Sequence, residues 1–336
     1  MKLKSIVFFF FISIKLLAQP GDYGMSARRF EELTEKLKAD PNNYELIWER
    51  ISLSGFNNTY FDIYKKSGNL KGELSYFKNS TELFNDLNKL IDNNVVIGKH
   101  NITEFKILKG RLYYFSGDID KALDDYLSAL YLNDSLKNYE LFDDIYISIA
   151  TYYYNLEDSL TEKNARQALM YVTMTNPNSC HSNQTPDCFE REKKELLKFL
   201  KEEEKFIEYQ KELIFSEHNS YIEVKNGRPG TTDYIYDTNE LYFRTLNRIN
   251  ELAEYYDEIG NHKKSKYLIE QLVKFLPPNN NGEKYIIFPK EKIYGIAAEE
   301  YSKRFFKLHH NKNYESTWDY QELTDFVESI KILASN

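Results

Sequence analysis

Small and aromatic side chains recur at fixed positions of a 34-residue unit, and this recurrence restricts the fold more than any other feature. In a unit that begins at Thr103, these positions hold Gly110, Tyr113, Gly117, Ala122, Tyr126 and Ala129. Gly110 and Ala122 are small where two antiparallel helices would cross closely, and Gly117 with Asp118 would form the turn between them. The spacing therefore predicts a helical hairpin over residues 103–134.

A second unit begins at Leu246 and repeats the same pattern. Its matching residues are Ile249, Leu252, Ala253, Tyr256, Gly260, Ser265, Ile269, Leu272 and Pro277, with a serine at one of the small positions. Two separate matches over the full length of the unit indicate a repeat architecture, in which each helix pair buries its apolar face against its neighbours.

The two units resemble tetratricopeptide repeats of the kind found in exported bacterial proteins. The resemblance implies an all-α fold, a right-handed superhelical array of antiparallel helix pairs whose first helices line a concave groove for a partner segment. Carried over by position, the groove residues would be Glu104, Arg111 and Tyr114 in the first unit and Asn247, Asn250, Glu254 and Asp257 in the second. The second set is polar and acidic, which suits a basic or polar partner, whereas Ile107 departs from a polar groove.

Weaker helical signals flank the two units. Residues 165–177 fit the second helix of a repeat, after a turn about three residues longer than the repeat requires. Residues 37–43 are typical of a junction between repeats, and residues 58–93 are predicted to be helical without a fixed register. The last helix, over 317–333, would cap the array with a polar outer face.

The region between the units has a different character. Residues 188–217 predict one long charged helix, with Asp187 and Glu190 forming a capping box at its start. Residues 221–224 and 234–236 are short apolar runs around Asn226-Gly227, so a small hairpin or another non-helical insertion is expected near 218–237.

The first eighteen residues have the pattern of a signal peptide. Lys2 and Lys4 precede an apolar stretch from Ile6 to Ile14, and Ala18 offers a small residue for cleavage. A buried N-terminal strand or an uncleaved anchor is the alternative. The predicted organisation is a signal peptide (1–18), an N-terminal helical-repeat array (19–180), a long helix with a loop or hairpin (181–237), and C-terminal repeats (238–336). The mature protein would be periplasmic or secreted.

Two cysteines, Cys180 and Cys188, are the whole thiol content of the chain. In an exported protein a pair this close favours a disulfide. A redox or metal role is the less favoured interpretation, because the spacing matches neither C-x-x-C nor a zinc pair.

Charge and motif content narrow the function. Loss of Lys2, Lys4 and Lys15 with the signal peptide leaves 41 basic against 52 acidic residues, so nucleic acid is a poor partner. No later segment is apolar enough to be transmembrane, so membrane insertion is not expected after cleavage. No catalytic or phosphate-binding motif stands out, and no two of the six histidines have the spacing of a helical zinc pair. Neither a metal site nor a cofactor is predicted.

The sequence therefore favours a non-enzymatic adaptor or assembly factor that grips a protein or peptide in its groove. A neutralising (immunity) partner of a secreted toxin is a more specific version. An enzyme is the alternative from another class, with its site in the 180–240 insertion, where loops leave the repeat pattern.

Overall fold

All regular elements in the described part of the chain are α-helices. The structure, a computed structural model, describes residues 21–53, 63–69, 80–136, 139–176, 187–225, 238–275 and 320–333. The predicted signal peptide, Cys180, Pro177 and residues 226–237 lie outside these ranges. An all-α fold is thus confirmed for the described residues.

The chain divides into two compact units, Met1–Thr175 and Asn176–Asn336. The first contains α1 (Gly21–Ala39), α2 (Tyr44–Leu53), α3 (Ser80–Asp92), α4 (Ile102–Ser116), α5 (Ile119–Leu136), α6 (Tyr139–Tyr154) and α7 (Glu162–Met174). The second contains α8 (Glu190–Phe199), α9 (Glu203–Lys225), α10 (Thr238–Glu258), α11 (His262–Phe275) and α12 (Tyr320–Lys331). In the first unit each helix packs on the next one in sequence; in the second, α8 to α11 do the same and α12 packs on α9.

The first predicted hairpin is formed by α4 and α5, and Gly110 lies at their closest approach. A Cβ atom on Gly110 would lie 2.5 Å from Cε1 of Tyr126 and 3.1 Å from the carbonyl oxygen of Ala122. Gly117 ends α4 with φ of 88°, and the amide of Asp118 donates to the carbonyl of Tyr113 over 3.0 Å. Gly117 and Asp118 thus form a two-residue turn, with Gly117 in the left-handed conformation, and this turn reverses the chain as the spacing predicted.

The second predicted hairpin is formed by α10 and α11 with the same turn. Gly260 has φ of 82°, and the amide of Asn261 donates to the carbonyl of Tyr256 over 2.7 Å. Ala253, Tyr256 and Ser265 are buried between the helices, at the positions that the repeat pattern assigned to the core.

The third helix pair, α6 and α7, has the longer connection that was predicted. The connection covers residues 155–161, and the Thr161 hydroxyl accepts a hydrogen bond from the amide of Asn164 to cap α7. Tyr153 of α6 stacks on Tyr171 of α7 with ring centroids 6.0 Å apart and planes 10° apart.

The junction predicted at residues 37–43 also ends one helix and begins the next. α1 ends at Ala39, and the Asn43 side chain accepts a hydrogen bond from the amide of Leu46 at the start of α2. α2 is tied to α3 by a buried bidentate ion pair in which Arg50 donates to both carboxylate oxygens of Asp86, over 2.8 and 2.6 Å.

The predicted helix over residues 58–93 is only partly correct. α3 lies within this range, but residues 63–69 form turns and pack on α4. The Tyr114 hydroxyl donates to the carbonyl of Lys65 over 2.6 Å, and the amide of Gly68 donates to the carbonyl of Tyr114 over 3.1 Å. These hydrogen bonds hold the segment across one face of α4.

The single helix predicted over residues 188–217 is wrong. Two helices, α8 and α9, cover this range, and Lys201 breaks the chain between them with φ of 55°. The capping box is wrong as well, because the Asp187 carboxylate accepts from the amide of Phe189 (2.9 Å) and from Nζ of Lys193 (2.6 Å). The Glu190 side chain instead forms an ion pair with Arg248.

The hairpin arm predicted at residues 221–224 is wrong too, because α9 continues to Lys225. The non-helical insertion expected near 218–237 therefore does not begin before residue 226, and its remaining residues lie outside the described ranges. The predicted terminal helix is confirmed as α12, which packs against α9.

Candidate functional site

An open cleft lies among α8, α9 and α10 in the second unit, with a volume of about 370 Å³. Its lining carries five glutamates: Glu190, Glu195, Glu251, Glu254 and Glu258. Three cations, Arg191, Lys194 and Lys198, line it as well, so carboxylates are in excess. The volume is at the small end of the range for ligand pockets and is suited to a side chain or a small molecule.

Two aromatic rings form an apolar part of the lining. Phe206 and Tyr255 are buried, and their ring centroids lie 3.9 Å apart with planes inclined by 34°. Nζ of Lys198 lies 5.3 Å from the centroid of each ring and 2.7 Å from a carboxylate oxygen of Glu258. The Lys198 ammonium thus lies beside the pair of rings, within the distance at which an aromatic ring attracts a cation.

A network of ion pairs fixes the walls of the cleft. Lys194 of α8 lies 2.5 Å from Glu190 and 2.8 Å from Glu251 of α10. Arg248 of α10 pairs with Glu190 and lies 3.4 Å from Glu251 and 3.8 Å from Glu217 of α9. The network joins three helices, so the geometry of the cleft does not depend on one exposed contact.

Glu254 is the half-buried carboxyl of the cleft. Burial raises its pKa above the usual 4.5, and the nearby carboxylates of Glu251 and Glu258 raise it further, against a hydrogen bond from Asn250 and the charge of Lys198. Asn250 donates this bond over 2.8 Å. A cation bound next to Glu254 would remove this penalty and favour its charged form.

Gln210 of α9 brings a buried acceptor to the same cleft. The residue is 2 % exposed, and its side-chain oxygen has no hydrogen-bond partner among the described residues. An unpaired acceptor in the interior costs about 1–3 kcal/mol. Of the unpaired buried side-chain atoms in the described ranges, only that of Gln210 belongs to a residue lining the cleft.

Three of the four groove residues predicted in the second unit line this cleft or bond to a residue that lines it. Glu254 lines it and Asn250 bonds to Glu254, as described above. Asn247 is exposed and donates to Glu251 over 3.1 Å. Asp257 pairs with His262 at 2.5 Å, at the turn into α11.

The groove residues predicted in the first unit are placed differently. Arg111 and Tyr114 are buried, so the expectation that they face an open groove is wrong. Segment 63–69 covers Tyr114, and Arg111 donates to Asp144 of α6 over 2.7 Å. Glu104 is partly buried and pairs with His100 at 2.7 Å. Ile107 is buried, in agreement with its apolar character.

Comparison with protein-family models, with curated proteins and with solved structures returned no match. The repeat resemblance therefore depends on the residue pattern and on the two helix pairs. In the described ranges, no helix has the length and apolar character needed to cross a bilayer. The same residues contain no cluster of three His, Cys, Asp or Glu side chains arranged for a metal ion. The disulfide stays a prediction, because only Cys188 lies within the described ranges.

Of the eleven residues that line the cleft, the sequence assigned only Glu254 to a binding surface, and three of the residues it missed form the apolar and buried part. Phe206, Gln210 and Tyr255 come from two helices, and their proximity depends on the break at Lys201, which the sequence did not show. The adjacent residues Tyr255 and Tyr256 were the one usable signal in the sequence, and both are buried.

Proposed function

We propose that the chain is an exported, non-enzymatic protein of the tetratricopeptide-repeat type that holds a segment of another protein in the cleft among α8, α9 and α10. The observation that carries the proposal is the cleft itself, with an excess of carboxylates around a pair of rings. A right-handed superhelical array is part of the proposal, supported by the two helix pairs with glycine turns at equivalent positions.

The repeat positions support the second unit as the place of binding. Arg111 and Glu254 occupy the same position of their repeats. In the first unit this position is occupied internally, because Arg111 bonds to Asp144 and Ser148 of α6. In the second unit Glu254 lines an open cleft. The first unit thus uses the position for packing, and the second leaves it available to a partner.

Site-specific photo-crosslinking in the native host tests this function. Benzoylphenylalanine at Glu195, an exposed lining residue, should give a defined crosslinked product. The same group at Lys266 on the exposed surface of α11 is the matched control and should give little or none. Glu254→Lys should reduce the product from position 195. Equal yields from both positions, or no product from either, would contradict the proposal.

An enzyme remains the second candidate function, because one observation favours it. α8 and α9 provide two walls of the cleft within the 180–240 region, and Glu254 has a raised pKa there. We place it second because Glu190, Glu251 and Glu258 all form ion pairs with Lys or Arg, which suits fixed walls better than proton transfer.

A further inference from the structure

The buried oxygen of Gln210 calls for a hydrogen-bond donor. Gln210 lines the open cleft, and its oxygen is covered from solvent and accepts no hydrogen bond from a described residue. Buried acceptors are almost always satisfied in folded proteins. A ligand group with an N–H donor that displaces a side chain covering this oxygen would satisfy it and gain affinity from it.

Lys198 shows what kind of group the two rings accept. Its ammonium lies at 5.3 Å from the centroids of both Phe206 and Tyr255, and its side chain is 44 % exposed. An exposed lysine held over two rings by one ion pair to Glu258 is easily displaced, because such contacts contribute little in water. Lys198 is therefore an internal occupant of a cation site.

We propose that the cleft binds an arginine side chain of the partner, stacked on Tyr255 and Phe206 in place of the Lys198 ammonium and hydrogen-bonded to Gln210 and Glu254. This inference rests on the proposed function and names the partner group. A guanidinium is planar, packs on aromatic rings and presents five N–H donors, so its chemistry suits both rings and oxygen acceptors.

Other occupants satisfy fewer of these features. An acidic or phosphorylated segment would be repelled by the excess of glutamates in the lining. An apolar side chain would cover the rings but leave the oxygen of Gln210 without a donor. A lysine would bind more weakly than arginine, because a compact ammonium neither stacks nor reaches two separate acceptors as a planar fork does.

Binding of short peptides to the mature protein tests the proposal. The probe is a pentapeptide with blocked ends, Gly-Ser-Arg-Ser-Gly, and its matched control carries citrulline, which has the same shape without the charge. Isothermal titration should show the arginine peptide binding about tenfold or more tightly than the citrulline peptide, with lysine between them. Equal affinities, or binding of neither peptide, would overturn the proposal.

Two variants separate a ligand contact from a structural role. Gln210→Leu should weaken binding of the arginine peptide by about tenfold while the melting temperature stays the same or rises, because an unpaired buried oxygen is removed. A residue that only supports the fold would lower the melting temperature instead. Glu254→Gln should weaken binding as well, with little effect on folding.

Lys198→Met provides the directional test. Removal of the internal cation should strengthen binding of the arginine peptide, since Lys198 no longer competes for the rings. Lys205→Met is the control, because this substitution makes the same change in net charge. Lys205 is exposed and does not line the cleft. Weaker binding by Lys198→Met, or equal gains in both variants, would contradict displacement.

The two proposals fail in different ways. If position 195 crosslinks to a partner in the native host and the arginine peptide does not bind, the cleft is a binding site for a different group. If position 195 gives no product and the arginine peptide binds, the cation site is real and the adaptor function is wrong.

Discussion

Single residues set the spacing of the helices in this protein. Gly110 lets α4 approach Tyr126 and Ala122 of α5, and Gly117 and Gly260 adopt the left-handed conformation that the two turns require. These positions follow from the sequence, because each depends on residues close to it in the same repeat. Segment 63–69 lies about fifty residues before Tyr114 in sequence (Lys65 to Tyr114 is a separation of 49), so no repeat pattern could reveal that it covers that ring.

Gly110→Ala should destabilise the first unit. Its Cβ would lie 2.5 Å from the Tyr126 ring and 3.1 Å from the Ala122 carbonyl, so the buried ring or the helices must move. We expect the free energy of unfolding to fall by about 1–3 kcal/mol, measured by urea denaturation. The loss should be smaller in a Tyr126→Leu background. An equal loss of unfolding free energy in both backgrounds would mean that the added Cβ does not clash with the Tyr126 ring.

His218 should make stability depend on pH. Burial lowers its pKa from 6.5 to about 4, against the charge of Glu328, and Nε2 lies 3.2 Å from the Thr324 hydroxyl of α12. As pH falls from 6.5 to 4, the unfolded chain binds a proton that the folded chain does not, so stability falls by up to about 3 kcal/mol.

His218→Gln removes this titration and keeps a polar group near Thr324. Urea denaturation of both proteins at pH 6.5 and near pH 4 should show a smaller loss for the variant. The same loss in both would mean that His218 does not carry the pH dependence.

At the scale of elements, helices were easier to predict than their ends. Repeat spacing predicted the pairs α4–α5 and α10–α11, and the capping residue Asn43 begins α2 where the junction was expected. The break between α8 and α9 was missed because no glycine or proline marks it, and a lysine adopts the left-handed conformation instead. That break also places Gln210 beside α10. The cleft could therefore not be predicted while residues 188–217 were taken as one helix.

Lys201→Gly should therefore stabilise the protein. Lys201 has φ of 55°, which is unfavourable for a residue with a Cβ atom and acceptable for glycine. Glycine also has a larger conformational entropy in the unfolded state, which offsets part of this stabilisation. The free energy of unfolding should therefore rise by about 0.5–1 kcal/mol, measured by urea denaturation. Lys205→Gly, within α9, is the control and should lose about 1 kcal/mol. A loss at both positions would contradict the role of the left-handed residue.

At the scale of the whole molecule, the predicted export would determine where the protein meets a partner. The signal-peptide pattern predicts cleavage after Ala18. N-terminal sequencing of the protein from its native host should begin at Gln19, and non-reducing mass spectrometry should find the Cys180 and Cys188 peptides joined. A cytosolic protein that begins at Met1, with free thiols, would contradict this expectation.

The central claim is that the cleft among α8, α9 and α10 holds the partner. Its most direct test is the affinity of the partner recovered by crosslinking, purified and titrated into the wild-type protein, into Glu254→Lys and into the surface control Lys266→Met. We predict a loss of about tenfold or more for Glu254→Lys and no change for Lys266→Met. Equal affinity in all three proteins would contradict the claim.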